Sequence, residues 1–411
     1  MFTLNPAWFK IDQYVCAEDK IMLNFPGSLR IEYKEKSKLS PEDSELISKG
    51  FTPKTIMQDQ EGHSYIAKSP DPLTAKDVFN GYVPPQAIDE LDPKTKRHIF
   101  SLEFEGAFLE LLIPNVMKGL FGDLMVVPEV YLHVGQNNQV ILLSKILSHF
   151  DEFLHQKVTQ KFGAVLENSE IPRREQLDLN EDDAFFIGQI YAAALIFNHW
   201  DILNSKFLNS GKIRVDNQFK ACIVDFGFCG HLSYKGRHND SLCIDDENFT
   251  KGKKINYRFF TSNYLQDYRH RFALPFDGRV GTLLPHTIIE NLFDLSGNNP
   301  ISLSMRKGFA TMVEQAIHNL ESNPNLYETA FNDSLNHFSK ESSIQPQDLG
   351  EWINMSYYHG NPQSDTLFTI ISDRVYDCQR LLNQFNQGVD AISLHEETRD
   401  HYVQHNMLKS I

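Results

Sequence analysis

Cys222-Ile223-Val224-Asp225-Phe226-Gly227-Phe228 is an apolar strand that carries one carboxylate to its end, with a glycine two residues on to let the chain turn sharply. Asp225 presented in this way is the rigid, hard oxygen ligand that a divalent ion carrying phosphates requires. The bare tripeptide Asp-Phe-Gly is also what many strands ending in a turn produce. Its neighbours must decide between the two.

Upstream, Asn180 is placed to N-cap an apolar helix over Glu181–Phe197, with Glu181, Asp182 and Asp183 at the positive end of its dipole. The helix runs into Asn198-His199-Trp200-Asp201-Ile202-Leu203-Asn204, and Ser205–Val224 then supplies a β-hairpin leading to Asp225. Asp201, 24 residues before Asp225, is the candidate to orient an acceptor hydroxyl, with Asn204 as a second metal ligand. The plainer reading of this loop is a polar helix C-terminus whose Asn and His side chains satisfy carbonyls. The order helix, polar loop, hairpin, Asp-Phe-Gly favours a phosphotransfer site. The spacing is irregular, however. Lys206 stands five residues after Asp201, Asn204 only three, and five residues before Asn204 is His199.

The N-terminal half supplies the cations such a site needs. Phe51–Met57, a turn at Gln58–Gly62 and His63–Lys68 form a predicted hairpin over 51–68. In Tyr65-Ile66-Ala67-Lys68 the alternation puts Lys68 on the same face as Ile66, towards the cleft. A helix is predicted over 97–112 and stopped by Pro114, with Glu105 as the partner for Lys68, Glu103 second and Glu110 third. A second hairpin, Val127–Val134 with Gln139–Leu143, turns at Gly135-Gln136-Asn137-Asn138. Further helices are predicted at Leu147–Phe162, 285–295, 301–321, 325–338 and 365–387.

Gly50-Phe51-Thr52-Pro53-Lys54, followed by Tyr65-Ile66-Ala67-Lys68, resembles the phosphate-loop hairpin of HipA-type and phosphoinositide-kinase-like members of the protein-kinase superfamily. Glu105-Gly106-Ala107-Phe108-Leu109 and Val127-Pro128-Glu129-Val130 resemble the helix and following strand of that group. The resemblance covers roughly residues 50 to 230 in motif order and extends to effector kinases of intracellular bacteria. It implies an α+β, two-lobed protein-kinase-like fold with a β-rich N-lobe and a mostly helical C-lobe. It also implies ATP with Mg2+ or Mn2+, and a nucleotide site at Lys68, Lys54, Pro53 and Thr55. Asp201, Lys68 and Glu105 would be the catalytic residues, and Asp225 and Asn204 the metal ligands. No Ala-Pro-Glu follows the Asp-Phe-Gly, so a standard activation segment is not expected.

The implied division is an N-lobe over 1–143, a catalytic core over 144–284, and 285–411 as helical C-lobe or appended subdomain. Thirty Phe and fifteen Tyr in 411 residues give such lobes a large aromatic core. The net charge of −15 argues against a nucleic-acid binder. Between Lys235 and Arg279, by contrast, nine Lys/Arg stand against six acids. Lys235, Arg237, Lys251, Lys253, Lys254, Arg258, Arg269 and Arg271 there suit a polyanion such as an inositol phosphate or phosphoinositide headgroup, where an ordinary solvated face is the plain alternative. Five cysteines without paired spacing, no signal-peptide pattern at Met1–Lys10 and no long apolar run predict a cytoplasmic chain, or one delivered into a host cell without a classical signal, and no transmembrane segment. Four activities stay open: an atypical Ser/Thr protein kinase; a phosphoinositide or small-molecule kinase; a nucleotide-binding pseudokinase scaffold; and an adenylyl or glutamyl transferase.

Overall fold

The computed structural model describes residues 22–34, 39–41, 44, 54–68, 93–135, 140–157, 159–160, 178–197, 199, 209–226, 229, 244–246, 249–253, 298–353, 355, 358 and 366–387. They form a mixed α+β structure, β-rich in its N-terminal part and helical in its C-terminal part.

Alternating strands build the first sheet. β1 (Met22–Asn24), β2 (Arg30–Tyr33), β3 (Lys54–Asp59) and β4 (Ser64–Lys68) are joined by β6 (Val130–Val134) and β7 (Val140–Lys145) in the order β1-β2-β3-β4-β7-β6. Every pairing is antiparallel. One face buries Leu23, Phe25, Ile31, Met57, Tyr65, Ala67, Ile141 and Leu143 in a core of its own. Val130, Leu132, Val134, Val140 and Leu142 look the other way, into the main core. Residues 337–343 cover the free edge of β6: the Leu132 amide donates to the His337 carbonyl, and the Ser339 amide returns to Leu132. The same segment reaches β1 through Lys340 and Glu341 on Asn24. An edge that would template further pairing is thus closed by the chain's own C-terminal half.

The main core is organised on α1 (Pro93–Phe121). This helix starts earlier and ends later than the 97–112 predicted, and Pro114 lies inside it. Proline removes one amide, leaves the Glu110 carbonyl without its helical donor and costs about 3 kcal/mol. Ile113, Val116, Met117, Leu120 and Phe121 are all fully buried around it. At about 1.5–3 kcal/mol per buried large side chain, that burial outweighs the proline penalty. Asn115 also donates to the Leu111 carbonyl and to Ser334 Oγ.

β5 (Met125–Val126), β8 (Phe150–Asp151), β9 (Ser210–Val215) and β10 (Gln218–Ile223) form the second sheet, ordered β5-β10-β9-β8. The predicted helix Leu147–Phe162 is corrected here. Phe150–Asp151 pairs with β9, and among the described residues of this span 153–157 and 159–160 are helical. β9 and β10 turn at Asp216 and Asn217, both at positive φ (49° and 63°), the conformation that a two-residue hairpin of native twist demands. α2 (Glu181–Phe197) lies behind this sheet, and Asn180 caps it as predicted, accepting from the Asp183 amide at 2.7 Å. Buried Asp183 is held by Lys157 at 3.0 Å and Lys212 at 3.3 Å.

β11 (Ile244–Asp246) and β12 (Phe249–Lys253) pair as a separate ribbon. α3 (Pro300–Ser322), α4 (Leu326–Leu335) and α5 (Leu367–Gln387) match the helices predicted at 301–321, 325–338 and 365–387. The predicted helix at 285–295 lies outside the described residues. α4 packs on α1, and α3 packs on both α1 and α2. α2 and α3 cross at two glycines. A Cβ on Gly188 would overlap the Met305 carbonyl oxygen, and one on Gly308 would overlap that of Phe185. No helix among the described residues is long and apolar enough to cross a membrane.

Candidate active site

Alternation in the β3–β4 hairpin decides what faces the site. Lys54 lies directly opposite Lys68, and Ile56 opposite Ile66, so these four share one face. Thr55, paired with Ala67, is buried on the other face. The expectation that Thr55 belongs to the nucleotide site is corrected for its side chain.

Lys68 ends between two carboxylates. Its Nζ lies 2.8 Å from Glu110 Oε2 and 2.8 Å from Asp225 Oδ1. β4, α1 and the end of β10 therefore meet at one ammonium. Lys68 and Glu110 are almost enclosed (side chains 13% and 9% exposed), whereas Asp225 is 42% exposed. Burial alone lowers the pKa of Lys68, but the charges of Asp225 and Glu110 outweigh it and hold the amine well above its usual range. Burial likewise raises Asp225, and the attraction and hydrogen bond of Lys68, together with smaller pulls from His199 and Lys54, reverse this and keep its carboxyl below the usual range. The result is an ionised, solvent-facing carboxylate backed by cations.

The predicted partner of Lys68 is corrected from Glu105 to Glu110. Glu105 is buried in the core, with the Tyr358 hydroxyl 3.5 Å from its Oε1. The side chain of Glu103 lies outside the described residues. Five positions on a helix amount to about 140° of rotation, so Glu105 and Glu110 cannot serve the same face. The available signal was local: Glu110 sits inside Leu109-Glu110-Leu111-Leu112-Ile113, and an acid in so apolar a run needs a cation.

Asp225 has φ +73°, a left-handed conformation uncommon for a residue other than glycine. Two contacts hold it. The Val224 amide donates to the Asn209 carbonyl at 2.9 Å, and His199 Nε2 lies 2.7 Å from the Asp225 carbonyl oxygen. A carbonyl only accepts, so the imidazole proton is on Nε2. The amide of His199 donates back to Ala194 in the last turn of α2. His199 thus joins the helix end to the strand end: its side chain satisfies a carbonyl, as the plainer reading of this loop expects, but the carbonyl is that of Asp225 and not one of the helix's own.

Full burial pushes His199 down to about 4, against smaller upward pulls from Asp225 and a downward one from Lys68. A neutral buried imidazole resists a proton that the unfolded chain accepts near 6.5, so stability is lost as pH falls from about 6.5 towards 4. This one group is expected to cost about 2 kcal/mol by pH 5. Denaturant midpoints at pH 7 and pH 5 check it: His199→Gln, which keeps a donor, should flatten the dependence relative to wild type. An identical slope in both proteins would contradict the assignment.

Asp201, Asn204 and Pro53 lie outside the described residues, as do Lys235, Arg237, Lys254, Arg258, Arg269 and Arg271. Lys251 and Lys253 belong to β12, but their side chains also lie outside the description. Among solved structures, the chain is similar to that of a Helicobacter pylori proinflammatory kinase, CtkA, at 14% sequence identity and a TM-score of 0.27, over 69% of this chain and 96% of the other. No protein-family model matches the chain, and no curated protein matches it. A likeness this low does not assign an activity. The site's own geometry has to carry it.

Proposed function

We propose that this chain is an ATP-dependent phosphotransferase on a two-lobed, kinase-like plan. The observation that carries the proposal is the single ammonium of Lys68 at 2.8 Å from both Glu110 and Asp225, drawn from three separate elements. Lys68 and Glu110 are almost closed to water. The third partner, Asp225, is left open to solvent at a strand end and in a strained backbone conformation, which is where ligand-binding carboxylates are found.

In this reading Lys68 and Lys54 bind phosphate oxygens, and Glu110 fixes the direction in which Lys68 points. Asp225, ionised and exposed, fits a hard divalent ion, Mg2+ or Mn2+, shared with the phosphates. Such an ion, when bound, neutralises charge on the transferring group. His199 keeps the Asp225 backbone in place from the α2 side. Asp201, two residues further along, is assigned to the acceptor hydroxyl, and Asn204 to a second ion. Transfer then depends on positioning and electrostatics, with little covalent work left to the protein.

A Ser/Thr hydroxyl of a protein is the acceptor we assign. The decisive experiment incubates the chain with γ-labelled ATP and Mg2+ or Mn2+. Label in protein Ser/Thr supports the reading, label in a phosphoinositide replaces the acceptor, and no transfer to any acceptor contradicts it. Polyanion gating through the basic segment from Lys235 to Arg271 is a further part of the proposal. Neutralising Lys251, Lys253 and Lys254 together should remove any activation by inositol hexakisphosphate, and unchanged activation would exclude it.

The choice between the two helix acids gives a sharper test. Losing a charge-assisted hydrogen bond of about 1.5–3 kcal/mol corresponds to about 10- to 100-fold in rate. Glu110→Gln should lower kcat/KM by that factor, and Glu105→Gln should leave it within about threefold. The reverse ranking would place the wrong acid beside Lys68.

A further inference from the structure

An α-helix ends with four carbonyls that have no helical donor. In α2 these belong to Ala194, Leu195, Ile196 and Phe197, in the turn that launches the His199 loop. The Ala194 carbonyl accepts from the His199 amide at 2.9 Å. The Leu195 carbonyl accepts from Arg374 Nη1 at 2.7 Å, a contact between residues 179 positions apart. Arg374 stands on α5 and is only 6% exposed.

A guanidinium is a costly group to bury, and a packing role alone would be served better by an apolar side chain. At the negative end of α2, however, its charge complements the helix dipole as well as the carbonyl. The contacts continue from there into the site: Arg374 holds Leu195, the same turn holds His199, His199 holds the Asp225 carbonyl, and Asp225 holds Lys68. We infer that Arg374 is a positioning residue, through which the C-terminal helix α5 sets the terminal turn of α2 and with it the His199–Asp225 contact. The inference rests on the proposed function only for its kinetic consequence. Its structural part stands without turnover.

The two parts are tested separately in the full chain, with Arg374→Met and Arg374→Lys. Hydrogen exchange on a peptide spanning 194–200 should rise at least tenfold in Arg374→Met relative to a peptide within 184–192, with Arg374→Lys in between because it keeps the charge. In the transfer assay Arg374→Met should lower kcat at least tenfold while nucleotide affinity measured without Mg2+ stays within about threefold, because Lys54 and Lys68 come from the β3–β4 hairpin and Lys68 keeps Glu110. Should the Met variant fail to fold, the Lys variant carries both measurements. Equal exchange changes along all of α2, or kcat and nucleotide affinity falling by the same factor, would reduce Arg374 to a packing residue and overturn the inference. If wild type transfers no phosphate, the proposed function fails, while the exchange result still decides the role of Arg374.

Discussion

Asp225→Asn is expected to reduce phosphate transfer by about 10^3-fold or more while leaving the protein folded. The substitution preserves shape and removes one charge, so the loss reports electrostatics and not packing. Asparagine still tolerates a left-handed backbone, and the His199 bond goes to the main-chain carbonyl, so the +73° φ and its restraint survive. Lys68 keeps Glu110 at 2.8 Å and is not left as a lone buried charge. What disappears is the one exposed carboxylate of the cluster. Initial rates with Mg2+ and with Mn2+, alongside thermal unfolding, measure both halves. A variant that transfers phosphate at the wild-type rate would remove Asp225 from the chemistry. One that simply unfolds would make the Lys68 pair structural.

The largest expected effect on stability lies away from the site, where α2 and α3 cross. Gly188→Ala and Gly308→Ala each introduce a methyl group into space held by backbone, the Met305 carbonyl in one case and that of Phe185 in the other. Backbone cannot rotate aside as a side chain can, so the helices must separate and give up part of a core containing Tyr191, Met305 and Phe309. Alanine ordinarily gains about 1 kcal/mol over glycine within a helix. Overpacking here should exceed that and leave each variant about 3 kcal/mol or more less stable. Both methyls act by opening the same crossing, so the double variant should lose less than the sum of the two. Chemical denaturation decides: stabilisation by either alanine would mean that the two helices do not approach so closely.

Local chemistry made much of this fold legible. The β3–β4 and β6–β7 hairpins, the Asn180 cap and the three late helices are marked by turns, periodicity and capping residues, and those signals survive packing. Lys68 and Asp225 were visible for the same reason, one at the end of an alternating strand and the other at the end of an apolar one. What the sequence did not reveal depends on partners distant along the chain. Glu110 stands behind Glu105 in a reading of the sequence because the choice rests on how α1 is rotated against the sheet, and from Phe104 to Ile113 every residue but Gly106 is buried, so that stretch shows no polar face. Pro114 marks a helix end by local rules, and the tertiary core around it overrides them. Phe150–Asp151 continues a helical pattern in sequence but is claimed by β9. The covering of β6 by 337–343 spans about half the chain and the reach of Arg374 to Leu195 spans 179 positions, and no short window contains either.

In the proposed function, Lys68, Glu110 and Asp225 are gathered to hold a metal-bound nucleotide and not merely each other. Calorimetric titration of the full chain with a non-hydrolysable ATP analogue, in the presence and absence of Mg2+, tests it most directly when wild type is compared with Lys68→Met. Wild type should bind in a magnesium-dependent manner, and Lys68→Met should bind at least tenfold more weakly. Absence of binding by folded wild-type protein, or equal binding by the two, would contradict the account.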